Sequence, residues 1–516
     1  MRASGILLHI SSLPSPHGIG TMGAAAKDFV DLLVKAGQAY WQILPFCPTS
    51  YGDSPYQSFS TFAGNPYFID LDLLAKADLL QPEEYEAIDW ESTPDCVNYG
   101  ALYQKRYAVL HKACARLLAA PPADYADFLA KNAFWLPDYA LFMALKDAHN
   151  GVCWQQWEEP LRRREPETLA AARAKYAADI DFWQAVQYLF YTQWRDLKAY
   201  ANAKGIEIIG DLPIYVAEDS VDVWSCPQEF QLDENLVPTE VAGCPPDGFS
   251  ATGQLWGNPL FDWDAMAANG YAWWVRRIRH LCGIYDVLRI DHFRGFAGYY
   301  AIPYGDKTAE NGRWRTGPGY ALFATVKKEL GSPRIIAEDL GFLTDDVRAL
   351  LKECAYPGMK VLEFAFDSRD GGDYRPHSYP TNCIAYTGTH DNEPVDGWFG
   401  TALPDDIERA IQYLNLTKEE GMNWGMMRGI WSSVADLAVV QAQDVLGLGH
   451  EARMNTPATL GGNWCWRALP GAFTPELAQK LHDAMELYGR LPEEPAAEPD
   501  ETEKTEYAEK AAEPKT

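Results

Sequence analysis

Eight short apolar runs, at residues 4–10, 39–44, 206–209, 285–290, 334–337, 359–364, 383–386 and 437–441, are separated by long stretches of helical composition. A run that stays apolar at successive positions is covered on both faces, as in a parallel sheet packed between helices. Eight such strands alternating with helices predict an α/β chain, a (β/α)8 TIM barrel with large helical and loop insertions. The rival is a doubly wound open sheet. Its dinucleotide fingerprint is missing after the first run, where Ser11-Ser12-Leu13-Pro14 stands in place of G-x-G-x-x-G.

The second and third runs are about 160 residues apart, far more than a βα connection needs. The intervening sequence repeats Ala, Leu, Tyr and Lys at helical spacing, most clearly over 101–118 and 182–203. It reads as a helical insertion over about 46–205. A second insertion, about 215–269, is rich in Gly, Pro and aromatics and reads as an ordered loop region. The catalytic barrel is thus expected to span 1–490. The remainder, 491–516, is dominated by Glu, Ala, Pro and Lys and reads as an acidic disordered tail.

The formal charge of −28 over 516 residues argues against a surface that neutralises phosphates, so nucleic acid and anionic membranes are poor partners and neutral substrates suit better. The N-terminal apolar run stops at His9, too short for a signal core or a membrane span. The ten cysteines are scattered without a C-x-x-C pair, as buried thiols in a reducing compartment would be, and a cytoplasmic location is expected. The 18 Trp, 28 Tyr and 21 Phe suit stacking on the apolar faces of sugar rings, although a large core also uses aromatics.

In such barrels the working residues follow the strands. Here carboxylates follow four of the runs: Asp211 in Gly-Asp-Leu-Pro, Asp291 in Asp-His-Phe-Arg, Glu338 and Asp339 in Glu-Asp-Leu-Gly, and Asp391 in Thr-Gly-Thr-His-Asp-Asn. Any one of them could simply cap the next helix. Several converging on one rim repel each other and raise one another's pKa, which is difficult to explain by stability and natural for acid/base work. No H-E-x-x-H, G-x-S-x-G, Walker glycine loop or D-x-D-x-D-G calcium loop is present.

Together these segments resemble glycoside hydrolase family 77, the 4-α-glucanotransferases, also called amylomaltases or disproportionating enzymes. The resemblance runs from about Ser4 through Leu469. It is carried by SGILLHISSLPSPHGIG, YGDSPYQSFSTFAGNPYFID, GDLPIYV, PPDGFSATGQLWGNPLFDW, LRIDHFRG, IIAEDLG, TGTHDN and GGNWCWR, in that order. It implies retaining transfer of α-1,4-glucan segments to the 4-hydroxyl of an acceptor glucan or glucose. Asp291 would be the nucleophile, Glu338 the acid/base, about 5–5.5 Å from it, and Asp391 the transition-state stabiliser.

The resemblance further implies that Arg289 keeps the nucleophile ionised. Asp211, His390 and Tyr56 would hold the sugar at the cleavage point, with Asn463 farther along the groove. Phe249 and Trp256, from the long aromatic loop, would cover the cleft on the acceptor side, and Tyr51 would belong to a second glucan site. The expected partners are maltooligosaccharides and α-1,4-glucans, with glucose as acceptor or product. No metal or organic cofactor is required. The alternatives are an α-glucan hydrolase of the α-amylase type and a non-catalytic glucan-binding barrel.

Overall fold

The computed structural model describes residues 2–50, 52–246, 250–341, 343–368 and 374–493. Twelve strands are seen among them: β1 (Ala3–Leu7), β2 (Tyr40–Gln42), β3 (Glu207–Leu212), β4 (Glu240–Cys244), β5 (Gln254–Pro259), β6 (Val287–Ile290), β7 (Gly298–Pro303), β8 (Arg313–Thr316), β9 (Ile335–Ala337), β10 (Gly358–Val361), β11 (Cys383–Tyr386) and β12 (Leu437–Gln441).

Eight of them form one sheet in the order β10-β11-β12-β1-β2-β3-β6-β9, and all seven pairings are parallel. The Ala337 N–H at the end of β9 donates to Pro357 O just before β10 at 2.9 Å, which brings the two edges together into a (β/α)8 barrel. Each barrel strand is one of the eight apolar runs. Their ends differ in detail. The first and sixth runs leave the sheet early and roll into 3-10 turns, Ile10–Ser12 and Leu362–Phe366. The third is longer than expected, so that Asp211 stands within β3.

The four remaining strands make a separate antiparallel sheet, β5-β4-β7-β8. Part of the segment expected as an ordered loop region is therefore strand, with β4 paired to β7 from beyond it and β8 in turn paired to β7. Its glycines and prolines hid the period of two.

Within the helical insertion, the expected helices extend to Tyr99–Ala119 and Ala177–Ala203. The first begins where the Asn98 side chain accepts the Ala101 N–H, an N-cap. The second buries an almost continuous face, including Phe182, Trp183, Phe190 and Trp194. Two glutamines on the same helix are also buried, and each is satisfied by a loop. Gln187 exchanges two hydrogen bonds with the backbone of Gly64, at 2.8 and 2.9 Å; Gln193 does the same with Asp70, at 2.7 and 3.0 Å. At Gly64 a Cβ would lie 2.0 Å from the Phe190 ring, so only glycine lets the chain come this close. These clamps anchor one end of the loop after β2, whose other part carries Tyr56.

Phe46, Phe190, Trp194 and Tyr285 pack edge-on or tilted, with Phe46 about 5 Å from each of the others, and join this helix to the barrel wall. All ten cysteines are free thiols. Among the described residues no helix is long and apolar enough to cross a membrane.

Candidate active site

Asp211 and Arg289 are register partners on the adjacent strands β3 and β6. Both are buried, with side chains 0% and 4% exposed. Arg289 Nη1 donates to both Asp211 oxygens, at 2.7 and 2.6 Å, and lies 3.0 Å from Asp291 Oδ1. Tyr56 completes the group, its hydroxyl donating to Asp211 Oδ2 at 2.7 Å. Gly210 precedes Asp211 because a Cβ there would fall 2.1 Å from the Tyr285 ring.

Just past β6 the chain kinks. The Asp291 N–H donates to Leu212 O at 2.9 Å, and His292 follows at φ 50°, a left-handed conformation uncommon for a residue with a Cβ. The kink sends the His292 N–H to Glu338 Oε2 at 2.7 Å, while Glu338 Oε1 accepts the Leu340 N–H at 2.8 Å. The backbone of Glu338 is fixed as well: its N–H donates to Ile290 O and its carbonyl accepts from the Phe293 N–H. Its neighbour Asp339 faces elsewhere and accepts the Met359 N–H at the start of β10, a structural task.

Burial pushes Asp291 well above the usual carboxylate range and raises Glu338 as well; Arg289 opposes burial at both. Asp211, Glu338 and Asp391 add to the upward push on Asp291. Asp291 and Glu338 therefore each hold a proton more readily than a solvated acid does. The Arg289 guanidinium touches Asp291, which favours negative charge there.

On the opposite wall, the His390 ring stacks on Tyr56, with centroids 5.2 Å apart and planes 13° apart, and its Nε2 lies 3.4 Å from Asp391 Oδ1. Burial lowers the His390 pKa, which favours the neutral ring. Trp464, at φ 65°, leans against both rings, at 5.8 and 5.9 Å. Asp391 Oδ1 accepts from Asn455 Nδ2 at 2.6 Å.

Trp256 stands on β5, edge-on to His292 at 4.8 Å and 89°. Together Tyr56, Trp256, Asp291, His390, Asp391 and Trp464 line a cleft of about 240 Å³. A larger cavity, about 450 Å³, opens at the other, N-terminal end of the barrel strands between Tyr40, Phe323, Arg334 and Tyr356. Asp436 is its only carboxylate, so the acid chemistry belongs to the smaller cleft.

Asn463 is not among the residues lining that cleft. Its amide is spent within its own loop, accepting from the Thr456 N–H at 3.0 Å and donating to Thr459 Oγ1 at 3.1 Å. Tyr51 and Phe249 lie outside the described residues. The structure adds His292, Asn455 and Trp464 to the residues singled out from sequence. His292 and Trp464 each adjoin a residue that was; Asn455 follows no strand directly and carries no such signal. Among the described residues no group of three or more His, Cys, Asp or Glu could hold a metal ion.

A (β/α)8 barrel with acids at the C-terminal ends of its strands, opening into an aromatic-walled cleft, defines a carbohydrate-active barrel enzyme. The sequence model of glycoside hydrolase family 77, described as 4-alpha-glucanotransferase, matches residues 8–471. A 4-alpha-glucanotransferase of Clostridium butyricum is 50% identical over 485 residues, covering 94% of this chain and 100% of the relative. One from Thermus thermophilus is 47% identical over 501 residues, covering 95% and 99%. Among solved structures, an amylomaltase from Streptococcus agalactiae in complex with acarbose superposes with TM-score 0.93 at 43% identity, covering 95% of this chain and 100% of that one. An amylomaltase from Corynebacterium glutamicum, 18% identical with TM-score 0.76, shares the fold. The chain belongs to glycoside hydrolase family 77 and is a 4-α-glucanotransferase, an enzyme of transglycosylation on α-1,4-glucans.

Proposed function

We propose that this enzyme disproportionates maltooligosaccharides by a retaining, two-step mechanism with Asp291 as nucleophile. In the first step an Asp291 oxygen bonds to the anomeric carbon as the glycosidic C–O bond breaks, and Glu338 gives its proton to the leaving oxygen. In the second, the 4-hydroxyl of an acceptor glucan or glucose attacks the same carbon, the Asp291 ester bond breaks, and Glu338 takes the hydroxyl proton. Asp391 holds sugar hydroxyls while positive charge develops on the ring. Asp211, His390 and Tyr56 bind the sugar at the cleavage point, and Trp256 covers the acceptor side.

Arg289 carries this reading. Its contact with Asp291 at 3.0 Å favours a carboxylate there, against the burial that raises both Asp291 and Glu338. The aromatic walls of the cleft suit sugar faces, and the related amylomaltase holding acarbose is consistent with a glucan in this groove. Asn463, Phe249 and Tyr51 remain assigned by resemblance: Asn463 farther along the groove, Phe249 with Trp256 over the acceptor side, and Tyr51 at a second glucan site. We place the enzyme in the cytoplasm, a reducing compartment that suits its ten free thiols.

Maltotriose incubated with the purified enzyme should yield glucose together with products longer than the donor. Only shorter products, with reducing ends rising steadily, would make it a hydrolase. Asp291→Asn should abolish turnover and keep glucan binding; a parent that binds without turning over would be a binding barrel.

A further inference from the structure

Asp391 is the least enclosed of the site's acids. Its side chain is 45% exposed, and the closest hydrogen bond to its carboxylate comes from Asn455. Its aim therefore depends on how the backbone at 391 is placed relative to that at 455. One side chain meets both. Arg453 Nη2 donates to Asp391 O at 2.6 Å and Arg453 Nε to Asn455 O at 2.8 Å, while its third nitrogen, Nη1, donates to Glu393 Oε1 at 2.5 Å.

The arginine side chain is 18% exposed and Glu393 9%. Glu393 also faces His450 Nδ1, at 3.0 Å. The two chain segments meet again where the Asn455 N–H donates to His390 O at 3.2 Å. The same segment reaches the aromatic wall, since the Trp464 N–H donates to Met454 O at 2.7 Å.

We infer that Arg453, oriented by Glu393, is a positioning residue for the reaction: it sets the spacing between Asp391 and Asn455 and so aims the Asp391 carboxylate. This rests on the reading of Asp391 as the transition-state stabiliser. A planar guanidinium spans two carbonyls and a carboxylate at once, which a lysine ammonium on a flexible stem does not. A carboxylate displaced by about 1 Å loses up to about a hundredfold in rate while substrate binding elsewhere in the groove persists.

The test is maltotriose disproportionation by Arg453→Gln, Asp391→Asn and the double variant, with thermal midpoints recorded for each. Arg453→Gln is expected to lower kcat about tenfold to a hundredfold with KM changed less than about threefold. Arg453→Lys should recover only part of the loss. In the Asp391→Asn background Arg453→Gln should cost nothing further, because the group it aims is gone.

An unchanged kcat in Arg453→Gln, or losses that multiply in the double variant, overturns the inference. An unchanged kcat in Asp391→Asn instead overturns the reading of Asp391 on which it rests. If Arg453→Gln does not fold, Glu393→Gln is read in its place. It keeps an acceptor for Arg453 but removes the charge, so a smaller fall in kcat at constant KM supports the inference and no fall overturns it.

Discussion

Arg289 Nη1 sits between both oxygens of Asp211 while lying 3.0 Å from Asp291 Oδ1. One cation thus serves a fully buried acid and the proposed nucleophile. The pairing is geometric as well as electrostatic, because Asp211 and Arg289 face each other across neighbouring strands and Asp291 is two residues further along.

Removing this cation has two separable consequences. Arg289→Met leaves the Asp211 side chain, 0% exposed, without its partner, and should destabilise the fold by about 3–5 kcal/mol. It also removes the group that lowers the Asp291 pKa. The acid limb of kcat/KM, set by ionisation of the nucleophile, should move to higher pH. Urea unfolding measures the first effect and a pH–rate profile the second; an unmoved acid limb would separate Arg289 from nucleophile ionisation.

Tyr56→Phe keeps the ring that stacks on His390 and removes only the hydroxyl bonded to Asp211. A hydrogen bond to a charged acceptor is worth about 1.5–3 kcal/mol, so kcat/KM on maltotriose is expected to fall by about an order of magnitude or more. A near-normal value would mean that stacking alone is used.

Gln187→Leu deprives the Gly64 N–H and C=O of their partners in a buried setting. The expected cost is about 1–3 kcal/mol for each group left unsatisfied, read as a lower urea midpoint. The anchored loop also carries Tyr56, so KM should rise alongside. A variant with unchanged midpoint would show that water replaces the amide.

Asp444, buried in the short helix Ala442–Leu446 that follows β12, accepts the Val395 N–H at 2.7 Å and the Thr387 hydroxyl at 2.5 Å. Burial raises its pKa from 3.8 to about 7. The folded state therefore binds a proton that the unfolded state has released between these values, so stability falls as pH rises from about 4 to about 7 and stays reduced above. Asp222, raised to about 6 by burial, acts in the same direction. Asp444→Asn should shrink the difference between urea midpoints measured at pH 5 and pH 8; an undiminished difference would assign the slope to other groups.

The barrel was legible because strands covered on both faces are largely apolar at successive positions. The eight runs stand out for that reason, and the carboxylates that follow four of them mark the rim. Asp211, Asp291, Glu338 and Asp391 were found as the acids following four such runs. The antiparallel sheet was not, because β4 and β5 are short and interrupted by glycine, with proline ending β5, and the next strand of the sheet, β7, lies more than 35 residues beyond the end of β5.

Sequence by itself thus determined the eight barrel strands, the helical insertion and the acids, since these follow from local patterns of burial and from residue type. Tertiary structure alone decided which groups meet. Tyr56 reaches Asp211 across 155 residues, Asn455 reaches Asp391 across 64, and Arg453 joins the backbones at 391 and 455. Such contacts depend on barrel closure and loop docking, and a hydrogen bond between distant segments leaves no periodicity in either one.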